Sequence, residues 1–461
     1  MKQLLLAASA LALTAAAPTP VPTIPAPAIV AALRDDALAN DHYAWDIVEG
    51  LTTEVGQRLA ATEAEARARD WAVKRLTAMG FANVHVEPYA MPVFQRGAES
   101  AEIVAPFPQK LVLTALGNSG ATPPQGVIAE VVAFDSIDAL KAAPDEAVRG
   151  KIVFVDHHMT ANQDGSGYGQ FGQPRRAGPT IAGHKGALAI VVRSAGTDHH
   201  RYGHTGAQSL GPGVTSIPAG ALSVPDAEQL MRILARGKPV TMHLTLTPKY
   251  LGDGPSGNVV AEVPGRDPSL PAVLVGGHLD SWDLGTGAID DGAGVAIATA
   301  AAKRIMDAGR PLRTIRIVWF GAEEPGLIGA NAYQKGHTDD RYFAVAESDE
   351  GADRVWKIDT KLGAEHQAEA DALFAATAPL GIVKGKTDSA SGSDIEVMLN
   401  VGTPGVTLHQ DATRYFDIHH TPDDTLDKID AAQLRQNVAT WTTMLAVLSG
   451  GIAEPKRRIP R

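Results

Sequence analysis

The sequence predicts an α/β fold with a mixed, mainly parallel central sheet that carries helices on both faces, plus a smaller β-rich domain inserted into it. Nearly continuous apolar strands alternate with helical segments in the C-terminal half, as expected of a sheet that is buried on both faces. Between about residues 110 and 250 the chain instead shows short β-like runs separated by Gly and Pro. A length of 461 residues leaves room for both domains.

The composition excludes several kinds of ligand and active site. The hydrophobic content of 44% and the charged content of 20% are ordinary for a globular protein. A formal net charge of −11 argues against general nucleic-acid binding, which usually requires a basic face. Because the chain has no cysteine, disulfides, a thiol nucleophile and cysteine-ligated metals are excluded. Any metal ion must therefore be held by His, Asp or Glu.

The N-terminus has the pattern of a signal peptide, predicted at residues 1–17. Lys2 precedes an apolar run over residues 4–13, and small residues follow that run. A buried N-terminal helix is the alternative, and the run is too short to span a bilayer comfortably. The Pro-rich residues 18–28 predict an extended linker. We therefore expect export to the periplasm or the medium, with no stable membrane insertion once the signal is removed.

The first part of the larger domain is expected at residues 29–109. Mixed apolar and charged residues over 29–49 favour a helix. Over residues 61–80 apolar side chains recur at helical spacing, between an acidic start and a glycine stop. Alternation over residues 81–86 predicts a strand.

Residues 110–250 are expected to form the inserted domain, either as a small α/β domain or as a β-rich one. Two long loops, GSGYGQFGQPRR and HHRYGHTGAQSLGPGVTS, separate its short strands, and loops of this length are usually functional or disordered. The second loop contains His199, His200 and His204, for which structural or substrate-facing roles are favoured over metal ligation, since no carboxylate spacing supports a site. The predicted strands are Lys110–Leu113, Val127–Val132, Lys151–Val155 and Ala187–Val192.

The second part of the larger domain is expected at residues 251–453, followed by a basic tail at 454–461. Apolar runs and amphipathic segments alternate here as strand and helix. The predicted strands are Gly257–Val263, Ala272–Val275, Thr314–Phe320 and Tyr342–Glu347, and the predicted helices are Gly292–Ala308 and Ala431–Leu448.

Acidic and imidazole side chains gather where these strands end. Carboxyl ends of strands are where open α/β sheets usually place their sites. So many like charges would repel one another unless a cation neutralised them. The gathered side chains therefore predict a metal site. The set is His278, Asp280, Asp290, Asp291, Glu323, Glu324, Asp349, Glu350, His419 and His420.

The motifs HLD, IDDGAG, GAEEPGLIGA, ESDEG and HHTPDDT together resemble those of the di-zinc exopeptidases, which include bacterial zinc aminopeptidases and glutamate carboxypeptidases. They cover residues 258 to about 430, and within that family the chain looks most like the plasma glutamate carboxypeptidases. The runs GKIVFVD and AGHKGALAIVV make the insert similar to a protease-associated domain. The resemblance implies a fold of the zinc-peptidase type, two Zn²⁺ per chain and hydrolysis of peptides.

The resemblance also implies a role for each residue. Asp290 would bridge both ions, with a cis peptide bond to Asp291. Glu323 would act as the general base, and Asp280 would orient a ligand histidine. Asp291 and Glu350 are the alternatives that could exchange roles with their neighbours. The terminal ligands come in two pairs, His278 with Asp349 and Glu324 with His420.

Four further residues are expected to contact the substrate. Asp394 would hold an ammonium group, with a helix N-cap as the equal alternative. His419 would donate an N–H to the oxyanion, with a merely packed ring as its alternative. Tyr415 and His204 would line the pocket.

The predicted activity is that of an aminopeptidase or dipeptidase that prefers a free N-terminus. Its partner is a peptide substrate, and association into a homodimer is an open prediction. Specificity for C-terminal glutamate is the alternative, but it needs arginines around a substrate carboxylate, and Arg414 is the nearest candidate. A glutaminyl cyclase with one zinc and a non-catalytic, receptor-like binding protein are disfavoured because Glu323 and every ligand position are present.

Overall fold

The computed structural model describes residues 24–210 and 214–452. The predicted signal peptide at 1–17 and the tail at 454–461 lie outside these residues, as does most of the predicted linker. A helix begins at Pro27, inside the range predicted for the linker, where proline suits the first turn. Within the described ranges, no helix combines the length and the apolar character needed to cross a membrane.

The described part of the chain contains sixteen strands and fifteen α-helices. The strands are β1 (Ala82–Gln95), β2 (Glu99–Ala105), β3 (Gln109–Leu111), β4 (Leu113–Ala115), β5 (Val127–Phe134), β6 (Ile152–Val155), β7 (Ala189–Arg193), β8 (Ala219–Leu222), β9 (Thr241–Leu246), β10 (Lys249–Val263), β11 (Ala272–His278), β12 (Ile315–Phe320), β13 (Tyr342–Glu347), β14 (Val355–Lys361), β15 (Val383–Lys384) and β16 (Gly405–Gln410). The helices are α1 (Pro27–Asn40), α2 (Tyr43–Gly50), α3 (Glu63–Ala78), α4 (Ile137–Ala142), α5 (Asp145–Val148), α6 (Tyr168–Phe171), α7 (Gln173–Arg176), α8 (Gly178–His184), α9 (Val224–Leu234), α10 (Ala293–Ala308), α11 (Ile328–Gly336), α12 (Gln367–Thr377), α13 (Glu396–Asn400), α14 (Tyr415–Ile418) and α15 (Ala431–Leu448).

The larger sheet has eight strands in the order β1-β10-β12-β11-β13-β16-β14-β15. Its centre, from β12 to β16, is parallel, whereas β1, β10 and β14 run antiparallel to their inner neighbours. The sheet is therefore mixed, as predicted, with the parallel strands in the middle. Because β11, β12, β13 and β16 point the same way, the residues that follow them meet at one edge.

Helices cover both faces of this sheet, as predicted. One face packs against α1, α2, α3, α10, α12 and α15, around the fully buried Trp319 and Trp441. The other face packs against α11 and α13. The helix predicted over 29–49 is two helices, because the chain breaks between α1 and α2, where the Asp41 carboxylate accepts the N–H of Ala44 at 3.2 Å.

A second eight-stranded sheet has the order β3-β2-β9-β5-β6-β7-β8-β4 and spans residues 99–246. It starts before the predicted boundary at 110, because β2 pairs with β9 rather than with the larger sheet. Of the two alternatives for the insert, a small α/β domain or a β-rich one, the structure has the first: β5 to β8 are parallel, and helices such as α4, α8 and α9 accompany them. Its similarity to a protease-associated domain stays a prediction.

The chain leaves and rejoins the larger sheet through one long antiparallel pair. Strand β1 pairs with β10 from Ala82 opposite Glu262 to Gln95 opposite Lys249. The two ends of the inserted segment therefore lie side by side, and the second sheet folds back over the edge where the predicted site residues gather.

Candidate metal centre

His278 ends β11, where it is held by its own strand and by the next loop. Gly277 precedes it, and a Cβ atom there would lie 2.1 Å from the Asp291 carboxylate, so only glycine fits. The ring Nδ1 lies 3.0 Å from the carbonyl of Asp280, and because a carbonyl only accepts, Nδ1 carries the hydrogen. Nε2 is then directed at Asp290 Oδ1 (3.2 Å) and Asp349 Oδ1 (3.4 Å). This is the orientation that a metal-ligating histidine needs.

The two aspartates before α10 point in different directions. The peptide bond between Asp290 and Asp291 is cis, as predicted. One oxygen of Asp290 lies 3.2 Å from His278 Nε2 and the other lies 3.2 Å from His420 Nε2. Asp291 instead accepts the backbone N–H groups of His278 and Gly294, each at 3.0 Å. The geometry thus places Asp290, and not Asp291, between the two histidines.

The pKa values of these aspartates also diverge. Burial raises the pKa of Asp291 well above its usual range. Burial acts on Asp290 too, but the surrounding imidazoles of His419, His278 and His420 outweigh it and hold the pKa of that carboxyl well below its usual range. Asp290 is therefore the carboxylate that stays ionised between the imidazoles.

Glu323 and Glu324 follow β12 and are fixed by Asp280. The two carboxylate oxygens of Asp280 accept the backbone N–H groups of Glu323 (3.0 Å) and Glu324 (3.3 Å). Its carboxylate is 3.8 Å from His278 Nδ1, so it orients this turn, while the backbone carbonyl of Asp280 orients His278. Orientation of His278 by the Asp280 carboxylate itself stays a prediction.

The two glutamates differ in surroundings. Oε2 of Glu324 lies 3.0 Å from His420 Nε2, and its other oxygen is buried without a hydrogen-bond partner in the described part of the chain. Glu323 lines the adjacent cavity. Burial, reinforced by the neighbouring Asp349 and Glu324, raises the pKa of Glu323 well above its usual range. A carboxyl with a raised pKa in a cleft suits proton transfer.

Asp349, just beyond β13, faces His278. Its Oδ2 accepts a hydrogen bond from the Ser393 hydroxyl at 2.8 Å, and its Oδ1 is buried with no hydrogen-bond partner among the described residues. Glu350 points elsewhere, with Oε2 3.8 Å from His409 Nδ1. The geometry therefore does not support an exchange of roles between these two neighbours.

His420 and His419 follow α14 with their rings stacked, at 3.5 Å between centroids. His420 Nδ1 lies 3.1 Å from the carbonyl of Thr205, which leaves Nε2 free to face Glu324 and Asp290. His419 Nε2 lies 3.6 Å from Asp290, so His419, which the resemblance places at the oxyanion, is also a candidate ligand. Burial and the adjacent His420 lower the pKa of His419 well below its usual range.

These side chains fit a two-metal site. There are two sets of residues whose ligand atoms lie within 4.8 Å of one another inside each set. One set is Asp290 with His419 and His420, and the other is His278 with Asp290 and Asp349. Glu324 and Asp349 each have a buried oxygen without a hydrogen-bond partner among the described residues, and both side chains line the same cavity. A bound cation would offset the repulsion between such carboxylates. Imidazole nitrogen and carboxylate oxygen are the donors that catalytic zinc takes, usually three from the protein with one position open.

A cavity of about 750 Å³ opens over this centre, with walls from loops and helices of the inserted segment and of the larger domain. Tyr415 and His419 line it, as predicted. Asp394 does not line it: the side chain is fully buried, with both oxygens unpartnered in the described residues, so it has no access to a substrate ammonium. It caps no helix either, because α13 begins after Ile395 and has no side-chain cap.

His204 is also absent from the cavity wall, contrary to the prediction. It is 1% exposed, with Nε2 2.6 Å from Asp198 Oδ1 and Nδ1 2.8 Å from the carbonyl of His419. The sequence showed a histidine-rich loop but not its packing partner, which is more than two hundred residues away in the chain.

The sequence missed three cavity residues of the inserted domain, Tyr168, Arg175 and Arg176. Arg175 donates to the Tyr168 hydroxyl at 2.8 Å. Arg176 donates to the carbonyl of Gly169 and, among the described residues, has no carboxylate partner. The one feature of the sequence that could have indicated them is their position in the long loop GSGYGQFGQPRR, since loops of that length are often functional. Arg414, the arginine that the sequence offered, is paired with Asp353 instead (Nε–Oδ2 2.7 Å).

Comparison with known proteins agrees with this architecture. The profile of peptidase family M28 matches residues 258–445. Carboxypeptidase Q of Mus musculus is 35% identical over 414 residues, which cover 89% of this chain and 86% of that protein. The crystal structure of a peptidase M28 precursor from Shewanella amazonensis SB2B is 43% identical, with a TM-score of 0.89 and coverage of 94% of this chain and 99% of that one. An aminopeptidase from Aneurinibacillus sp. strain AM-1 shares the fold, with 20% identity, a TM-score of 0.63 and coverage of 93% and 97%.

Proposed function

Since this chain belongs to peptidase family M28 and is a metallopeptidase by that membership, we propose that it is a di-zinc exopeptidase that cleaves dipeptides or short peptides with a free N-terminus. One observation carries the proposal. Asp290 presents one oxygen to His278 Nε2 and the other to His420 Nε2, each at 3.2 Å, so a single carboxylate joins two ligand sets.

We assign the first ion to His278 and Asp349 and the second to Glu324 and His420, with Asp290 shared. Each ion then has three protein ligands, the number that leaves a position open for water or substrate. When bound, such a zinc pair supplies Lewis acidity, which polarises a peptide carbonyl and makes a water molecule more acidic.

Glu323 is assigned the proton transfer. It lines the cavity beside the centre, and its backbone is fixed by the Asp280 carboxylate at 3.0 Å. Glu323 takes a proton from the attacking water and returns it to the leaving amine, which requires a pKa near the working pH. The ring of His419, whose Nδ1 is buried without a partner in the described part of the chain, is assigned the N–H that stabilises the oxyanion.

The arginines of the inserted domain favour substrates with a free carboxylate close to the scissile bond. A partly buried guanidinium that lacks a carboxylate partner, as at Arg176, is a binding group for an anion. A dipeptide would place its C-terminal carboxylate against this wall while its peptide carbonyl faces the metal ligands. This supports a dipeptidase, and it also makes carboxypeptidase-type recognition a second candidate.

Replacing Arg176 by Met tests this wall. We expect kcat/KM for a free dipeptide to fall roughly 10- to 100-fold, because a hydrogen bond to a charged group is worth about 1.5–3 kcal/mol. Hydrolysis of the matching dipeptide amide should change little. Arg236→Met, at an exposed position of the same domain, is the control. An equal loss of kcat/KM on the dipeptide and on its amide would show that Arg176 does not bind the substrate carboxylate.

A screen of the purified protein with zinc tests the function itself. We expect hydrolysis of free dipeptides and none of N-blocked ones, with loss of activity on chelation and recovery on addition of zinc. A chelator-resistant activity would contradict the metal mechanism. Absence of both bound zinc and hydrolysis would favour the non-catalytic binding protein, while cleavage of N-blocked peptides with C-terminal glutamate would favour the carboxypeptidase.

A further inference from the structure

A loop of the inserted domain, residues 197–206, packs against the segment that carries His420. The backbone N–H of Thr197 donates to the carbonyl of Phe416 at 3.1 Å, and its hydroxyl donates to Asp417 at 2.6 Å. At the other end of the loop the N–H of Thr205 donates to the carbonyl of His420 at 3.1 Å. We call residues 197–206 the clamp loop.

The clamp loop holds both the backbone and the ring of His420. Thr205 donates its N–H to the His420 carbonyl and accepts the His420 Nδ1 hydrogen at its own carbonyl, at 3.1 Å in each case. The second contact, to a carbonyl that only accepts, favours the tautomer in which Nε2 is the free ligand atom. The Arg175 guanidinium packs against the same edge of the ring, with Nη1 3.4 Å from His420 Nδ1 and 3.3 Å from the Thr205 carbonyl, and the shorter contact is the one to the carbonyl. Outer contacts of this kind orient metal-bound histidines in many proteins.

His420 needs such support because its backbone is unfavourable. Its φ is +62°, in the left-handed region that side chains other than glycine rarely adopt. This conformation turns the ring from the end of α14 towards Glu324 and Asp290. Such a conformation persists only where the surroundings enforce it.

His204 completes the support one residue earlier. Its Nδ1 lies 2.8 Å from the carbonyl of His419, and its Nε2 lies 2.6 Å from the carboxylate of Asp198, itself in the clamp loop. His204 and Asp198 are both buried, at 1% and 6% exposure, so neither contact is shared with water. The pair fixes the carbonyl that immediately precedes the left-handed residue.

We propose that the clamp loop positions the metal ligand His420, with His204 and Thr205 as its positioning residues. The proposal rests on the proposed function, since it takes His420 as a zinc ligand. The inserted domain is then part of the metal centre. The ion assigned to Glu324 and His420 depends on contacts made by the inserted domain, and the ion assigned to His278 and Asp349 does not.

A matched pair of variants at His204 tests this. Asn places its amide nitrogen near the position of Nδ1, so His204→Asn keeps a donor for the His419 carbonyl. Gln places its nitrogen near Nε2, so His204→Gln keeps the contact with Asp198 and loses the one with His419. Both changes remove the ring and leave a polar amide, so a merely structural role would affect them alike. His199→Gln, at an exposed position of the same loop, is the control.

The measurement is zinc bound per chain in competition with a chelator, alongside the melting temperature. We expect His204→Gln to bind one of its two ions about 10- to 100-fold more weakly and to keep the other, with His204→Asn and His199→Gln close to the parent chain. Equal zinc affinity in the Gln and Asn variants would overturn the proposal. If the parent chain itself bound no zinc, the proposed function would fail first, so the two failures are distinguishable.

Discussion

Replacement of Glu323 by glutamine is expected to lower kcat by about 100- to 10,000-fold while both zinc ions stay bound, because general acid–base catalysis contributes a factor of that size. Glutamine keeps the size and the cavity position of the side chain but cannot accept a proton. The backbone contact with Asp280 is unaffected, so the turn that carries Glu324 should keep its shape.

Glu324→Gln provides the comparison within the same turn. Its carboxylate lies 3.0 Å from His420 Nε2, so the loss of charge there should release zinc as well as activity. Zinc content and kcat measured on both variants separate the two neighbours. Near-normal turnover in Glu323→Gln would remove Glu323 from the proton-transfer role, and zinc loss in that variant would make it a ligand.

Replacement of Asp290 by alanine is expected to reduce bound zinc from about two ions per chain to nearly none, because each ion would be left with two protein ligands instead of three. Activity should be abolished with it. The cause is geometric, since this one carboxylate lies 3.2 Å from both histidines of the proposed sites.

Asp291→Ala is the matched control, next to Asp290 in the chain. Asp291 accepts two backbone N–H groups, so its removal should cost about 1–3 kcal/mol in the free energy of unfolding, from unsatisfied buried donors. At saturating zinc it should retain both ions. If instead Asp291→Ala lost the metal and Asp290→Ala kept it, the bridge would belong to Asp291. Metal analysis and thermal unfolding of the two variants decide between these results.

Much of the candidate centre was predictable, because its residues follow strand ends that short stretches of sequence reveal. Strand β11 ends at His278 and β12 ends just before Glu323, and apolar runs followed by glycine and acids mark such ends in sequence. Because the strands are parallel, these ends lie at one edge of the sheet whatever the conformation of the loops that connect them. The resemblance to the di-zinc exopeptidases favoured Asp290 over Asp291 and Asp349 over Glu350. Asp290 and Asp349 are the members that approach His278 Nε2.

The site residues that were misplaced or missed depend on contacts between distant segments. Asp394 was expected in the cavity, but its depth depends on how α13 packs on the sheet. His204 was expected to face a substrate, and Arg176 was not considered. The position of each side chain relative to the cavity depends on how the insert packs on the larger domain, which the sequence does not show. Hydrophobic periodicity sets which face of a strand is buried; it carries no information on which loop of another domain covers a site.

The β1–β10 pair has a consequence for how the chain folds. Every residue of the insert lies between Gln95 and its partner Lys249, so this pairing brings together segments that are far apart in sequence. Loop-closure entropy opposes such contacts, and sheets rich in them form slowly. An insert with hydrophobic cores of its own shortens the effective loop by folding first. The smaller sheet is thus expected to form early and to deliver two adjacent, antiparallel ends onto which the edge of the larger sheet closes.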